Sequence, residues 1–149
     1  MAKAITERFE QMVLEVEGET PGDFARLCGL VDVEITRTNN VQTSEVPDCE
    51  DESKPHSIER ETISTEVTVS ASGVWSQSSS ETMLDWFYSG ATKVIRLGHK
   101  NAAPGDTEYE TGPALLTSLG HSRAKGRKVN ASINLEFDGT PTRTAKAAP

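Results

Sequence analysis

The sequence predicts a mainly β fold: a β-sandwich or barrel of two antiparallel sheets, with one flanking α-helix and a long loop or hairpin. Two alternating segments and one helix-period segment carry that prediction. In residues 63–75 the odd positions Ile63, Val67, Val69, Ala71 and Trp75 alternate with Ser64, Glu66, Thr68, Ser70 and Ser72. Near the end, Val129, Ala131, Ile133, Leu135 and Phe137 alternate with Asn130, Ser132, Asn134 and Glu136. Strand side chains point alternately to opposite faces, so each segment offers one face to a core and one to water. The exception is Met83, Trp86 and Phe87, spaced i, i+3 and i+4 as on one helix face.

Taken in order, residues 1–8 form an N-terminal arm. Residues 9–17 form a first strand with Met12, Leu14 and Val16 on one face, ended by Gly18. A Thr20-Pro21-Gly22 turn leads to a short segment at 23–27, then Cys28-Gly29-Leu30. Val31, Val33 and Ile35 mark a strand over 31–38, and Asn39-Asn40 suits a turn because Asn tolerates left-handed backbone. Residues 41–57 show no period and hold Glu45, Asp48, Glu50, Asp51 and Glu52 with Pro47 and Pro55. They read as a long acidic solvated loop, of a length usually functional or disordered, and expected to order on contact with a neighbouring subunit.

The long strand 59–75 follows, then a helix over 78–87. Ser78 lies three residues before Glu81, the spacing of a capping box, and Gly90 stands where a helix ends. Trp86, Phe87 and Tyr88 read as core packing rather than a ligand platform. Residues 92–97 form a strand and 98–106 a turn-rich loop. Residues 108–119 are extended, with a bend at Gly112-Pro113. Residues 120–126 make a basic hairpin tip and 127–138 the last strand, stopped by Asp138-Gly139-Thr140-Pro141. The remainder, 140–149, is small and polar and reads as a loose tail.

The 149 residues fit one domain, 1–149, with only 35% apolar and 5% aromatic residues. So thin a core favours self-association. No apolar run reaches membrane-spanning length and the first residues lack a signal-peptide pattern, so the expectation is synthesis in the cytoplasm and no membrane partner. There Cys28 and Cys49 read as free thiols rather than a disulfide. The formal charge of −8 is uneven: residues 123–149 carry +4, leaving −12 on the rest. An acidic body argues against duplex binding but gives copies of one chain unlike surfaces to join.

Chemistry finds little support. His56, His99 and His121 fall in expected loops away from any nucleophile, and no nucleophile elbow, zincin helix or phosphate loop occurs. Zinc on Cys28, Cys49 and His56 lacks ligand spacing. Calcium at residues 48–52 lacks the spacing and glycine of an EF-hand. The Asn130-Ala131-Ser132 glycosylation triplet lies inside a strand. No enzyme activity, cofactor or metal is expected.

The ordered set of features resembles the tail tube (major tail) proteins of long-tailed bacteriophages and gene transfer agents. The likeness rests on the 9–17 strand with Gly18 and Pro21-Gly22, on Cys28-Gly29-Leu30, and on Thr36-Arg37-Thr38-Asn39-Asn40. It continues through Val46-Pro47-Asp48-Cys49-Glu50-Asp51, the 59–75 strand, the 78–87 helix and the closing 129–139 strand. None is diagnostic alone; the specificity lies in their order and in the small size of the domain. The resemblance implies hexameric rings stacked into a tube, with DNA passing through the lumen without sequence-specific binding. It implies a virion tail assembled in the host cytoplasm, with tape measure, tail terminator and distal tail proteins as further partners.

Opposite charges then suggest where copies meet: Glu45, Asp48, Glu50, Asp51 and Glu52 of one chain against Arg123, Lys125, Arg127 and Lys128 of the next. A tail terminator or head–tail connector is the alternative within such an assembly. A β-sandwich binding module is the alternative outside it, disfavoured because the few aromatics occupy core-like positions.

Overall fold

The computed structural model describes residues 2–18, 20–26 and 29–147, without the side chains of Ser78 and Ser79. A 3-10 turn, Phe9–Gln11, precedes β1 (Met12–Glu17), β2 (Phe24–Arg26), β3 (Leu30–Val46) and β4 (Ser57–Val74). Then come α1 (Gln77–Ser89), β5 (Lys93–His99), β6 (Thr107–Ser122), β7 (Asn130–Phe137) and β8 (Thr142–Ala145). All pairings are antiparallel, in the order β2-β1-β5-β6-β7-β4-β3, and the eight strands form one hydrogen-bonded sheet that does not close into a barrel.

The sheet folds on β6. The first half of β6, up to Ala114, pairs with β5 and, through residues 107–111, with β8. Its second half, Ala114 to Ser122, pairs with β7. A register shift between Leu116 and Ser118 accompanies the change, and a bulge of this kind bends a strand. Gly112 and Pro113, the expected site of a bend, lie within β6, which runs through both residues. Leu14 and Val16 of β1 and Ile95 and Leu97 of β5 thereby join one core with Val67 and Val69 of β4 and Ile133 and Leu135 of β7.

Core and solvent faces follow the alternation. β7 is buried at every second residue, from Ala131 to Phe137. Cross-strand rows Val33–Ala71–Ile133 and Ile35–Val69–Leu135 lie on the inner face. In β4 the alternating face is buried only from Val67 onward, and Ile63 is 66% exposed. Sixteen apolar side chains are buried among the described residues, and three of them are alanines, which confirms a thin core.

Three expectations need correction. Residues 41–46 are strand, and only 47–56 form the connection, so the expected loop is the distal part of one long β3–β4 hairpin. Polar residues on both faces of that part hide the strand from a hydropathy reading. The tail is not loose throughout: Thr142 to Ala145 pair with β6 as β8, where backbone hydrogen bonds suffice without apolar side chains. The helix starts at Gln77 with Ser76 as N-cap, so Ser78 lies inside it and does not cap it. Cys28 and Leu27 lie outside the described residues.

Gly90 ends α1 in the left-handed conformation at φ +66°, as a C-terminal glycine does. Met83 and Trp86 face the core, and the Trp86 indole N–H donates to the Ala91 carbonyl at 2.9 Å, while Phe87 and Tyr88, expected to pack in the core, are exposed, Tyr88 at 80%. Trp86 is only 2% exposed, so Trp86→Ala should cost about 3–5 kcal/mol. Thermal unfolding should show a midpoint lower by roughly 6–20 °C. An unchanged midpoint would mean the helix does not hold the core.

Candidate assembly surfaces

Beyond the core the β3–β4 hairpin continues as a two-stranded arm. Every strand residue from Thr36 on β3 and before Val67 on β4 is exposed, and only Asp48 and Asp51 in the connection are half-buried. An isolated two-stranded ribbon is marginal in water. Local bonds help it: Thr65 donates to Asn39 at 2.7 Å and Asn40 to Ser64 at 2.9 Å.

The predicted acidic residues gather at the arm's tip. Asp48 accepts the backbone N–H groups of Glu50 and Asp51, and Glu45 lies 3.7 Å from the His56 imidazole. Asp51 accepts the Ser53 hydroxyl and backbone N–H, which together hold its carboxyl below the usual range. Glu52 sits in the same connection. The predicted basic residues, Arg123, Lys125, Arg127 and Lys128, all occupy the β6–β7 turn.

The two groups are not brought together within one chain. Val74, at the base of β4, pairs with Asn130, and the Trp75 N–H donates to the Val129 carbonyl. The basic turn therefore sits beside the base of β4, while the acidic tip lies beyond its other end. The 18 residues of β4 separate them by roughly 55 Å, at about 3.3 Å per residue. No ion pair among the described residues joins them.

The outward side of β3, β4 and β7 carries one chemistry. Its cross-strand rows read Asp32–Ser72–Ser132, Glu34–Ser70–Asn134 and Thr36–Thr68–Glu136. Along the arm the same side adds Glu66, Glu61 and Glu59, paired with Thr38, Gln42 and Ser44. These rows present carboxylates, hydroxyls and amides, and no Lys or Arg. A shallow trough crosses this face past Asp32, Glu34, Ser70, Ser72, Ser132 and Asn134. The arm's other side is mixed: Val41, Thr43 and Glu45 against Thr62, Arg60 and Ile58.

This half of the sheet has two open edges. Among the described residues β3 pairs with β4 alone, and β6 beyond Ala114 has no partner on the side where β5 ends. Three successive antiparallel pairings separate β3 from β6, so the two edge strands themselves run antiparallel.

Charge also ties the arm to the body. Arg37, the first arm residue on the core-facing side after Ile35, places its guanidinium fork on the Glu110 carboxylate of β6, with Nε 3.0 Å from Oε1 and Nη2 on Oε2. Glu110 is only 6% exposed. The His99 Nε2 lies 3.5 Å from the same carboxylate, and its Nδ1 lies 3.4 Å from Glu7. Burial pushes the Glu110 pKa up, but Arg37 and then His99 outweigh it and hold the carboxyl below its usual 4.5. A sequence reading misses this cluster, although a charged residue at a core-parity strand position, Arg37 two residues after Ile35, is its signal. A second clamp holds β2: the Arg96 guanidinium lies 4.3 Å from the ring centroids of both Phe24 and Tyr109 and pairs with Glu15 at 3.3 Å.

Because the folded-state pKa of Glu110 lies below its unfolded value, its ion pair stabilises the fold fully above about pH 4.5. That stability is lost as pH falls through the lowered value. Urea unfolding of the protein and of Arg37→Gln should differ most above pH 5 and converge on acidification. A difference that grows in acid would assign the pair the wrong sign.

With the geometry in hand, the comparisons are specific. The tail of an empty gene transfer agent particle, refined with C6 helical symmetry, superposes with a TM-score of 0.73 at 16% identity, over 94% of this chain and all of that one. The virion of a native gene transfer agent particle matches with a TM-score of 0.70 at 16% identity, again over 94% and 100%. The SPP1 tail tube, determined by solid-state NMR and cryo-EM, matches at 0.68 with 11% identity, over 96% of this chain and 81% of that one. No curated protein matches the sequence. The family model for phage tail tube proteins matches residues 6–143. The chain belongs to the phage tail tube protein family, whose members are structural rather than enzymatic.

Proposed function

We propose that this protein forms hexameric rings that stack into a tube, and that DNA passes through the lumen. The single observation that carries the reading is the pair of open, mutually antiparallel edges on β3 and β6. A copy set beside its neighbour can pair β3 with the neighbour's β6 and keep an antiparallel ladder across the joint. Four strands from each of six copies, the symmetry of the similar gene transfer agent tail, make twenty-four. At about 4.8 Å per strand that barrel has a backbone diameter of about 37 Å before strand tilt widens it, enough for a duplex after side chains are added.

The acidic, hydroxyl-rich side of β3, β4 and β7 suits the lumen. Like charge keeps DNA from sticking, and short polar side chains give it no cation to hold. α1 and the β1–β5 half then lie outside.

Stacking falls to the ends of the long axis. The acidic tip, with Glu45, Asp48, Glu50, Asp51 and Glu52, meets the basic turn of the next ring, with Arg123, Lys125, Arg127 and Lys128. Such a head-to-tail contact leaves each ring with an open end and so builds a filament. A terminator would need one of these ends closed, and both are exposed here. Tape measure, terminator and distal tail proteins are the expected partners at the tube's core and ends, in a virion tail assembled in the host cytoplasm.

Negative-stain imaging of the purified protein should show tubes; a strictly monomeric species at high concentration by light scattering would defeat the reading. Replacing residues 41–63 by Asn-Gly, a two-residue hairpin turn, should leave a folded subunit that no longer stacks. Tubes of normal length from that variant would remove the arm from the contact.

Arg123→Glu with Lys125→Glu should also block stacking while the subunit stays folded. Raising ionic strength from 0.1 to 1 M shortens the Debye length from about 10 to about 3 Å and should weaken stacking in the unmodified protein. If the basic turn instead faced the lumen, the charge-reversed variant would still form tubes.

A further inference from the structure

The arm has one charged tie to the body, and that tie is shared. Arg37 stands where the hairpin leaves the core, and among the described residues its pair with Glu110 is the only ion pair between arm and body. Glu110 in turn is shared with His99, whose other ring nitrogen faces Glu7 in the segment ahead of β1. Four residues from four places in the chain thus form one chain of charge: Glu7, His99 on β5, Glu110 on β6 and Arg37 on β3.

We propose that this relay couples the seating of the N-terminal segment, residues 2–8, to the direction of the arm. The Nδ1 side of the His99 ring faces the Glu7 carboxylate while Nε2 faces Glu110, so Glu7 helps fix the ring's orientation and with it what His99 presents to Glu110. Glu110 has two oxygens to divide between His99 and the Arg37 fork. When Glu7 leaves, His99 is freed from one anchor and turns, and the carboxylate that aims Arg37 loses its second contact. The arm is the element that responds, because nothing beyond Ile35 and Val67 packs it against the core. Residues 2–8 are the element that acts, since all of them are exposed and no strand or helix includes them. A neighbour that captured this segment would thereby redirect the arm. That consequence rests on the stacked-ring reading, but the coupling within one subunit does not.

Amide hydrogen exchange on the dispersed subunit tests it. Glu7→Ala should speed exchange at the arm base, residues 36–40 and 62–66, by about fivefold or more, the low end of ordinary site-to-site coupling. Reciprocally, Arg37→Gln should speed exchange in residues 2–11. In a His99→Gln background, adding Glu7→Ala should change nothing further at the arm base. Residues 131–137 in the core serve as the reference. Acceleration confined to the mutated segment overturns the proposal. So does equal acceleration in the core, which would mean the pairs only hold up the fold. Persistence of the Glu7 effect without His99 would overturn the relay as its route. Loss of ring stacking with coupling intact would instead count against the assembly reading alone.

Discussion

The structure depends on one strand being longer than the layer it belongs to. β6 spans sixteen residues, and its first half takes β5 and β8 as neighbours while its second half takes β7. A strand that long in a twisted sheet cannot stay in one layer, and the bulge near Thr117 sets where it turns. The fold of the sheet brings β1 and β5 over β4 and β7 and makes the core. The same division leaves the second half of β6 unpaired on the side where β5 has stopped. The internal core and the external edge are therefore two results of one geometric fact. Between the two ends of the folded sheet, Met12 and Leu14 approach Leu30 and Val33 across a groove without hydrogen-bonding their strands, so the barrel stays open.

Legibility followed the chemistry that gives each element its stability. β7 and the inner part of β4 were readable because burial on one face forces alternation, and the structure buries the expected residues from Ala131 to Phe137 and from Val67 to Ala71. α1 was readable from Met83, Trp86 and Gly90, although its start lies one residue earlier than expected and its cap is Ser76 rather than Ser78, because a run of serines offers several caps. Of the arm's distal half only the β4 side was readable, as the strand expected from residue 59, while residues 41–46 were not. Gln42, Thr43, Ser44 and Glu45 are polar and exposed on both sides, so no period marks a strand whose order comes from its partner strand. β8 failed for the same reason, since Thr142 to Ala145 contribute backbone and little else.

The candidate surfaces divided in a similar way. Clusters contiguous in sequence, the acidic tip and the basic turn, could be named from composition. Their placement at opposite ends of β4 could not, because it depends on the pairing of Val74 with Asn130. Clusters assembled from distant segments, such as Glu7, His99, Glu110 and Arg37, left only a parity clue. The resemblance to tail tube proteins supplied the level that composition lacked, and the family match over residues 6–143 placed it on firm ground.

The thin core and the long arm make sense together. A subunit with sixteen buried apolar side chains, three of them alanine, has little stability to spare, yet it extends an arm that buries nothing of its own. Exposed Val41, Ile58 and Ile63 on that arm, and unpaired N–H and C=O groups along β3, would be an aggregation hazard in a monomer. In the proposed tube the same groups would become the joints, and the hazard would be limited by geometry rather than by removing the edges. The acidic side chains Glu59, Glu61 and Glu66 disfavour pairing of arm on arm, and in the proposed stack the basic turn far from the tip would accept one orientation. Under the proposed assembly no large apolar patch is needed: edge pairing around the ring would supply the adhesion, and the separation of charge along β4 would supply the direction.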